Sequence, residues 1–338
     1  ADATINSVNI GKGANSVAGN TALGENALDA AVTGGNNTAV GRNTLTTNTS
    51  GQRGVAVGVS ALRLNTTGTD NVAVGVSALD SNTTGSQNTA LGRFTLGVNT
   101  TASNNTAVGY YSLSANTTGT QNVAIGRSAL LSNTTANENT AVGYESLKNS
   151  TTASRGVAVG HGAGKNITTG SFNTAVGFNA LTDCETGASN VAMGNGAATN
   201  ITTGSNNVAL GTVAMHDAVS SANSVAVGRD ALYSTTASIY NIAIGYRASF
   251  AGDQGANNVG IGAFALNQNT AASLVAIGYA ALEKNTSGSG NVAVGFEALE
   301  ENTTGSNNVA VGRTALTANT TGYDNVAIGS LNLDANTT

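Results

Sequence analysis

Hydrophobic residues recur in this chain at one fixed interval. The tetrapeptide Val72–Gly75, Val-Ala-Val-Gly, returns in closely related form at Val123–Gly126 and Val309–Gly312. Its glycines are separated by a sequence interval of 17 at every step from Gly24 to Gly262. The first step, from Gly11 to Gly24, is 13, and one later step, from Gly262 to Gly278, is 16. From Gly11 to Gly329 these glycines mark 20 copies of the repeat. Internal repetition is therefore the main structural signal.

The positions of the repeat, numbered here from this glycine, predict a short strand. Position −3 is Val, Thr or Ile in every copy, and position −1 is Val, Ile, Leu or Met. Position −2 is Ala in 18 of the 20 copies, with Asn9 and Gly260 as exceptions, and position +4 is usually Leu, as in Leu79. This alternation is typical of a strand that ends at a glycine required by a left-handed or crowded backbone. The remainder, rich in Asn, Thr and Gly, has the composition of turns.

The length of the repeat predicts the fold class. This unit is too short for a pair of helices, which needs about 30 to 47 residues. It matches one coil of an all-β parallel β-solenoid, or β-roll, and the chain would form about 20 such coils, stacked about 4.8 Å apart. Alternation along the strand places Val72 and Val74 on one side and Ala73 on the other. We expect the two valines and Leu79 to fill the interior.

The alanine at position −2 indicates a partner surface on the opposite side. A water-facing position would admit larger or charged residues, yet nearly all 20 copies keep a small one. A single coil encloses little, so the expected partner is an identical chain with closed symmetry. We therefore expect a parallel homotrimer that packs through residues such as Ala73, Ala90 and Ala107, with a monomeric solenoid as the alternative.

Composition and charge exclude several classes of protein. With 13 basic against 18 acidic residues and a net charge of −5, a nucleic-acid partner is not expected. No hydrophobic run approaches the length of a membrane span, so no membrane insertion is expected. Cys184 is the single cysteine, which excludes a disulfide scaffold within the chain. The repeat lacks the acidic motifs of calcium-binding coils, and we expect no metal and no cofactor.

The repeat resembles those of known fibre proteins. Asn122–Gly126, followed by Ala129, Leu130 and Asn133–Thr135, is similar to repeats of bacteriophage tail-fibre and structural fibre proteins, notably of phages that infect marine cyanobacteria. The opening Ile5–Ala14 resembles the start of such proteins. The Val-Ala-Ile-Gly core is also similar to a shorter repeat in the head domains of trimeric autotransporter adhesins, which are left-handed parallel β-rolls assembled as trimers. The resemblance covers nearly all of the 338 residues.

The resemblance implies a non-enzymatic structural fibre of a phage particle, a tail or head fibre that projects from the virion and supports host attachment. Its partners would be itself, as a homotrimer, and another virion protein, with a host-surface glycan or protein as a further candidate. A fragment of a bacterial trimeric surface adhesin is the alternative, which would place the chain at the cell surface. A monomeric ice- or ligand-binding solenoid is a third interpretation.

Irregularities in the repeat divide the chain into segments. Residues 1–35 contain the shortened first step, Asn9 at position −2 and the divergent loop Asp29–Gly35. We expect them to form an irregular cap or a docking segment that joins the particle. Residues 36–338 would form the solenoid shaft. The block 211–262 within it is less regular, because the Asn-Thr-Thr-Gly loop is replaced there.

Several residues imitate catalytic or binding motifs. His161 and His216 lie about three repeats apart without a fixed Asp or Glu companion, so we expect surface or loop histidines and no enzyme activity. Cys184 occupies position +7, usually Asn, and should be a small, partly buried substitute. Gly160–Lys165 lacks the first Gly and the Ser/Thr of a phosphate-binding loop. The repeated Asn-Thr-Thr segment, as in Asn65–Thr67, predicts an asparagine ladder with turn hydrogen bonds, and an ice-binding threonine array is its alternative.

Position +1, the residue after the repeat glycine, is the most informative column expected to be exposed, because arginine and aromatic residues concentrate there. One interpretation is a ribbon that stacks sugars or other host-surface groups. The other is a set of amphipathic side chains that cover the solenoid and bridge neighbouring subunits. The candidate surface-contact residues are Arg42, Arg93, Tyr110, Arg127, Tyr144, Phe178, Arg229, Tyr246, Tyr279, Phe296 and Arg313.

Overall fold

A computed structural model of the chain describes residues 3–6, 8–237, 239–251 and 255–337. The chain divides into two compact units, Ala1–Phe172 and Asn173–Thr338. Each unit is a parallel β-solenoid in which one coil corresponds to one repeat of the sequence, and this confirms the all-β solenoid class. Loop residues 252–254 of the less regular block, and the side chain of Asn9, lie outside what is described. No helix in the described ranges is long and apolar enough to cross a membrane.

The first unit is built from short strands and one 3-10 turn at Ala14–Ser16. From β3 to β11 neighbouring strands are parallel, and each residue pairs with its equivalent one repeat away, as Val72 does with Val55 and Thr89. Equivalent positions therefore stack into columns. The strands are β1 (Ala3–Ile5), β2 (Val8–Gly11), β3 (Thr21–Gly24), β4 (Thr38–Val40), β5 (Val55–Val57), β6 (Val72–Val74), β7 (Thr89–Leu91), β8 (Thr106–Val108), β9 (Val123–Ile125), β10 (Thr140–Val142) and β11 (Val157–Val159).

The second unit repeats this arrangement, with parallel pairing from β12 to β21. The single shortened step between Gly262 and Gly278 is accommodated without a change of register, since Val259 pairs with Val275 as the equivalent residue. The strands are β12 (Thr174–Val176), β13 (Val191–Met193), β14 (Val208–Leu210), β15 (Val225–Val227), β16 (Ile242–Ile244), β17 (Val259–Ile261), β18 (Val275–Ile277), β19 (Val292–Val294), β20 (Val309–Val311) and β21 (Val326–Ile328).

The N-terminal copy of the repeat is not a coil of the parallel stack. Strand β2 pairs antiparallel with β3, with Ile10 opposite Leu23, and β1 pairs antiparallel with β2. The step from Gly11 to Gly24 is too short to complete a coil and return in parallel, so the chain reverses direction instead. The parallel stack therefore begins with β3, which pairs with β4. The docking role of residues 1–35 stays a prediction.

The repeat glycine turns the chain where two coils almost touch. Its φ lies between 126° and 149° in every copy from Gly24 onward, a region that disfavours other residues. A Cβ added to Gly75 would lie 2.5 Å from the carbonyl oxygen of Gly92 in the next coil. Both expected reasons for this glycine, left-handed backbone and crowding, are confirmed. The coil makes its other corners with left-handed residues such as Ser77, Leu79 and Gln87.

The expectation about which side of the strand faces inward is wrong. Ala73 is completely buried within its own chain, as is Leu79, whereas the side chain of Val74 is 38% exposed and Val72 is half-buried. The interior is narrow because Leu79 and buried asparagines already occupy it, so only a small residue fits at the middle of the strand. Crowding inside the coil explains the constant small size of position −2. The proposed packing of Ala73, Ala90 and Ala107 against a partner is therefore excluded.

Two ladders of buried asparagine join successive coils. At position −4, Asn71 accepts a hydrogen bond from the backbone N–H of Asn88 (3.0 Å) and donates to the carbonyl of Gly85 (2.7 Å). At position +7, Asn82 donates to the Oδ1 of Asn65 (2.8 Å) and to the carbonyl of Gly85 (2.9 Å). These contacts satisfy amides that would otherwise be costly to bury. They confirm the predicted asparagine ladder.

In two coils the side chain at position +4 is smaller than usual and the one at position +7 is larger. In the first unit Gly164 replaces the leucine and Ile167 replaces the asparagine, and Ile167 is buried. In the second unit Ala198 and Ile201 make the same exchange. A larger side chain at one position thus fills the space lost at the other, as volume-conserving changes in a packed interior require.

We predict that Ala90→Leu destabilises the coil itself. The added atoms must enter a closed interior, so the free energy of unfolding should fall by about 1–3 kcal/mol. Thr101→Leu, an exposed position of the same coil outside the strand face, is the control and should change stability by less than about 0.5 kcal/mol. Thermal and denaturant unfolding followed by circular dichroism measure both. An Ala90→Leu chain of unchanged stability would contradict the inward orientation.

We also predict that Gly164 and Ile167 are energetically coupled. A Cβ on Gly164 would lie 3.0 Å from the Cδ1 of Ile167, so Gly164→Leu should overpack the coil, while Ile167→Asn should leave a cavity. The double variant restores the usual pair and should be more stable than the sum of the single changes predicts, by about 0.5–3 kcal/mol. Additive effects in this double-mutant cycle would refute the volume exchange.

Candidate functional site: the arginine and aromatic column

Position +1 lies directly after the turn at the repeat glycine, and its side chains point outward. All eleven candidate residues are exposed, with Tyr110 at 40% and Phe178 at 50%. The exposure expected for this column is thereby confirmed. Because the column follows the coil spacing, its side chains lie close enough to contact one another.

In the first unit three of these side chains form a continuous stack. The guanidinium of Arg127 lies 5.9 Å from the ring centre of Tyr110 and 5.6 Å from that of Tyr144. The ring of Tyr144 in turn stacks on His161, with centres 5.0 Å apart. Each contact joins two neighbouring coils, so the stack holds them together at the surface.

The stack extends to position +2 of two coils. Phe94 and Tyr111 stack with ring centres 5.0 Å apart. The guanidinium of Arg93 lies 4.6 Å from the ring centre of Phe94, and Tyr110 meets Tyr111 edge to face at 4.4 Å. Candidate residues Arg93 and Tyr110 are thus joined through a neighbouring column. Arg42 lies on the same face, in the column position between Glu25 and Val59.

The second unit carries a similar stack around its shortened step. Arg229 lies over Tyr246 at 5.8 Å, and Tyr279 stacks on Phe296 at 5.2 Å. Arg313 lies 6.0 Å from the ring centre of Phe296. Phe178 occupies the same column four repeats nearer the start of the chain than Tyr246.

Phe264 bridges the point where this column has no ring. Position +1 of its coil is Ala263, and Phe264 at position +2 meets Tyr246 at 5.3 Å and Tyr279 at 5.8 Å, both edge to face. The sequence column alone did not identify Phe264. Its contacts become evident only when positions +1 and +2 are placed side by side.

A second aromatic stack lies at position +5 and was missed by the sequence analysis. His216 stacks on Tyr233 at 5.2 Å and Tyr233 on Phe250 at 5.3 Å, with the guanidinium of Arg247 4.0 Å from the ring centre of Phe250. The signal was available, because the three rings are spaced by one repeat. His216 also has an acidic companion, since its Nδ1 lies 2.7 Å from the Oδ1 of Asp217, contrary to expectation.

The remaining candidate chemistry has structural partners. Lys165 of the phosphate-loop imitation and Lys148 both pair with Glu145, at 2.7 and 2.8 Å, and the hydrogen bond from Lys148, then that from Lys165, lowers the pKa of this carboxyl to about 2. Cys184 donates to the carbonyl of Gly187 at 3.3 Å, as the asparagines do, and is fully buried. Burial raises the pKa of its thiol to about 12, so the reactive thiolate is scarce at neutral pH. The described residues contain no group of three or more His, Cys, Asp or Glu placed to hold a metal.

The geometry favours the interpretation in which the side chains of position +1 cover the surface of the solenoid, over a ribbon that stacks sugars. In stacked pairs such as Tyr279 and Phe296 the ring faces contact each other along the solenoid, and guanidinium groups lie over other rings, as Arg127 does over Tyr144. Sugar stacking would need open ring faces. Comparison with known proteins adds no assignment, since neither the protein-family models nor the curated proteins contain a match to this chain.

We predict that Arg127 stabilises the first unit through its two ring contacts. Arg127→Ala should lower the free energy of unfolding by about 1 kcal/mol, because an exposed cation–π contact contributes about 0.5–1 kcal/mol. Arg42→Ala, an exposed arginine of the same column, is the matched control and should change stability less. Denaturant unfolding measures the free energy of unfolding of both variants. Equal losses would show that the two ring contacts of Arg127 do not stabilise the unit.

Proposed function

We propose that this chain is a non-enzymatic structural shaft of a fibre, borne on a phage particle, and that it assembles as a parallel homotrimer. The observation that carries the proposal is the outward face of the strands. Positions −3 and −1 are Val, Thr, Ile, Leu or Met in every copy, and many of these side chains are substantially exposed, among them Leu91 at 37% and Ile125 at 40%.

This strand face, defined as positions −3 and −1 of the parallel coils, has the properties of a contact surface. It repeats once per coil and carries no charged residue in any copy. A repeated, uncharged and largely apolar surface of this kind, with threonine at position −3 of some copies, is typical of an interaction site. A second copy of this chain is the occupant we propose, because its strand face has the same spacing and the same absence of charge, so that the coils of two chains match along their length.

The interior supports a mechanical role. In most coils a buried asparagine is hydrogen-bonded to its equivalent in the next coil, as Asn82 is to Asn65, so each coil presents a template for its neighbour. The surface stacks of arginine and aromatic residues add further links between coils. In this proposal the chain transmits force and holds a binding end away from the particle, and residues 1–35 join another virion protein.

Charges placed on the strand face should dissociate the assembly. We predict that Val74→Glu, Leu91→Glu and Ile125→Glu together convert a trimer into single chains, because three like charges per subunit would be buried against one another. The matched control carries Thr84→Glu, Thr101→Glu and Thr135→Glu, exposed positions of the same three coils, and should remain trimeric. Multi-angle light scattering after size exclusion gives the mass, with circular dichroism as the test of folding.

A wild-type chain that is monomeric at micromolar concentration, or a strand-face variant that stays trimeric, would overturn the assembly proposal. The fibre itself is tested by electron microscopy of the particles with an antibody against this chain. Label along a projecting fibre supports the phage assignment, whereas label on the surface of a bacterial cell would favour the adhesin alternative.

A further inference from the structure

The first unit has a cavity of about 260 Å³ between two columns of side chains. One wall is formed by Ser77, Phe94 and Tyr111 at position +2, and the other includes Asp80, Gly97 and Ser114 at position +5. The cavity exists because Gly97 supplies no side chain where most neighbouring coils carry one. It lies apart from the strand face.

The aromatic wall is held in a fixed position. Phe94 and Tyr111 stack on each other, and Arg93 and Tyr110 pack against them from position +1. Other coils nearby have serine at this position, as in Ser60 and Ser128. The two rings therefore add apolar surface beside Gly97, where the opposite wall is open.

The opposite wall carries an oriented carboxylate. Arg63 holds Asp80 in a bidentate pair, with Nε to Oδ1 at 2.7 Å and Nη2 to Oδ2 at 3.0 Å, and each oxygen retains a lone pair for a further donor. The hydroxyl-bearing residues Ser77, Ser81 and Ser114 also line the cavity. These groups surround an occupant with both donors and acceptors.

Charge and size restrict the class of ligand. Asp80 disfavours an anionic ligand, and its pairing with Arg63 removes most of its attraction for a cation. A cavity of about 260 Å³ is at the small end for ligand pockets and has room for little more than one ring. An apolar wall opposite a carboxylate and hydroxyls matches a molecule with C–H surface on one side and hydroxyl groups on the other.

We propose that this cavity binds one neutral sugar ring, whose hydroxyls donate to Asp80 and whose C–H surface packs against the edges of the Phe94 and Tyr111 rings, since these two rings stack on each other and Arg93 covers Phe94. The site is shallow and the ligand small, so the dissociation constant should be on the order of 1 mM. This site is independent of the proposed fibre role: a chain that fails to bind sugar can still be a fibre shaft, and a chain that is monomeric can still bind sugar.

The test uses the full chain and saturation-transfer difference NMR with D-glucose, D-galactose, D-mannose and N-acetyl-D-glucosamine, and with D-glucuronate as the anionic comparison. At least one neutral sugar should receive saturation at millimolar concentration, and glucuronate should receive less. The absence of transfer to all four neutral sugars, or a stronger signal from glucuronate, would overturn the proposal.

Gly97→Leu locates the binding. A Cβ at Gly97 would meet no atom closer than 3.4 Å, and Leu131 occupies the equivalent position in another coil, so the variant should fold with its cavity filled. Binding should weaken at least tenfold. Asp80→Asn keeps the shape of the wall and should also weaken sugar binding. This variant replaces Gly97→Leu in the test if Gly97→Leu does not fold. Tyr323→Ala, an exposed ring outside the cavity and outside the stack, is the control, and an equal loss in all three variants or in none would refute the site.

Discussion

The close approach of successive coils at the repeat glycine is the constraint on which the rest of the structure depends. Any side chain at Gly75 would collide with the backbone of Gly92 and force the coils apart. At a strand separation of about 4.8 Å, every residue contacts its own equivalent one repeat away. The residues stacked in one column must therefore pack against, or hydrogen-bond to, residues of the same kind. This requirement explains why so few residue types fill the interior, and why the chain contains only 9% charged residues.

Asparagine meets this requirement in a buried column because its amide is both a donor and an acceptor. Asn82 donates to Asn65 and accepts from Asn99, each at 2.8 Å. An aspartate in the same column would place like charges one coil apart in a water-poor interior, which is strongly unfavourable. Substitutes such as Cys184 keep the hydrogen bond to the loop carbonyl but give up the link to the neighbouring amide. The ladder thus tolerates interruptions at the cost of contacts between coils.

The sequence predicted the features that depend on spacing alone: the strand, its parallel register, the glycine turn and the exposed column at position +1. It could not tell which side of the strand faces inward, because alternation is symmetric and a small residue such as Ala73 fits a crowded interior as well as a close partner. The antiparallel pairing of β2 required knowledge of where the chain reverses. The stack through Phe264 and the cavity at Gly97 both arise between columns, so no single column reveals them.

Departures from the repeat fall into two physical kinds. At Gly164 and Ala198 the lost leucine is replaced in volume by Ile167 and Ile201 within the same coil, so the packing of the interior is restored. At Gly97 the missing side chain is not replaced, and the cavity remains open to solvent beside two rings. Packing alone gives no reason to retain such a gap, because larger residues are accommodated at the same position in other coils. A departure from the repeat whose lost volume no other residue replaces is therefore the place to look for a function other than coil stacking.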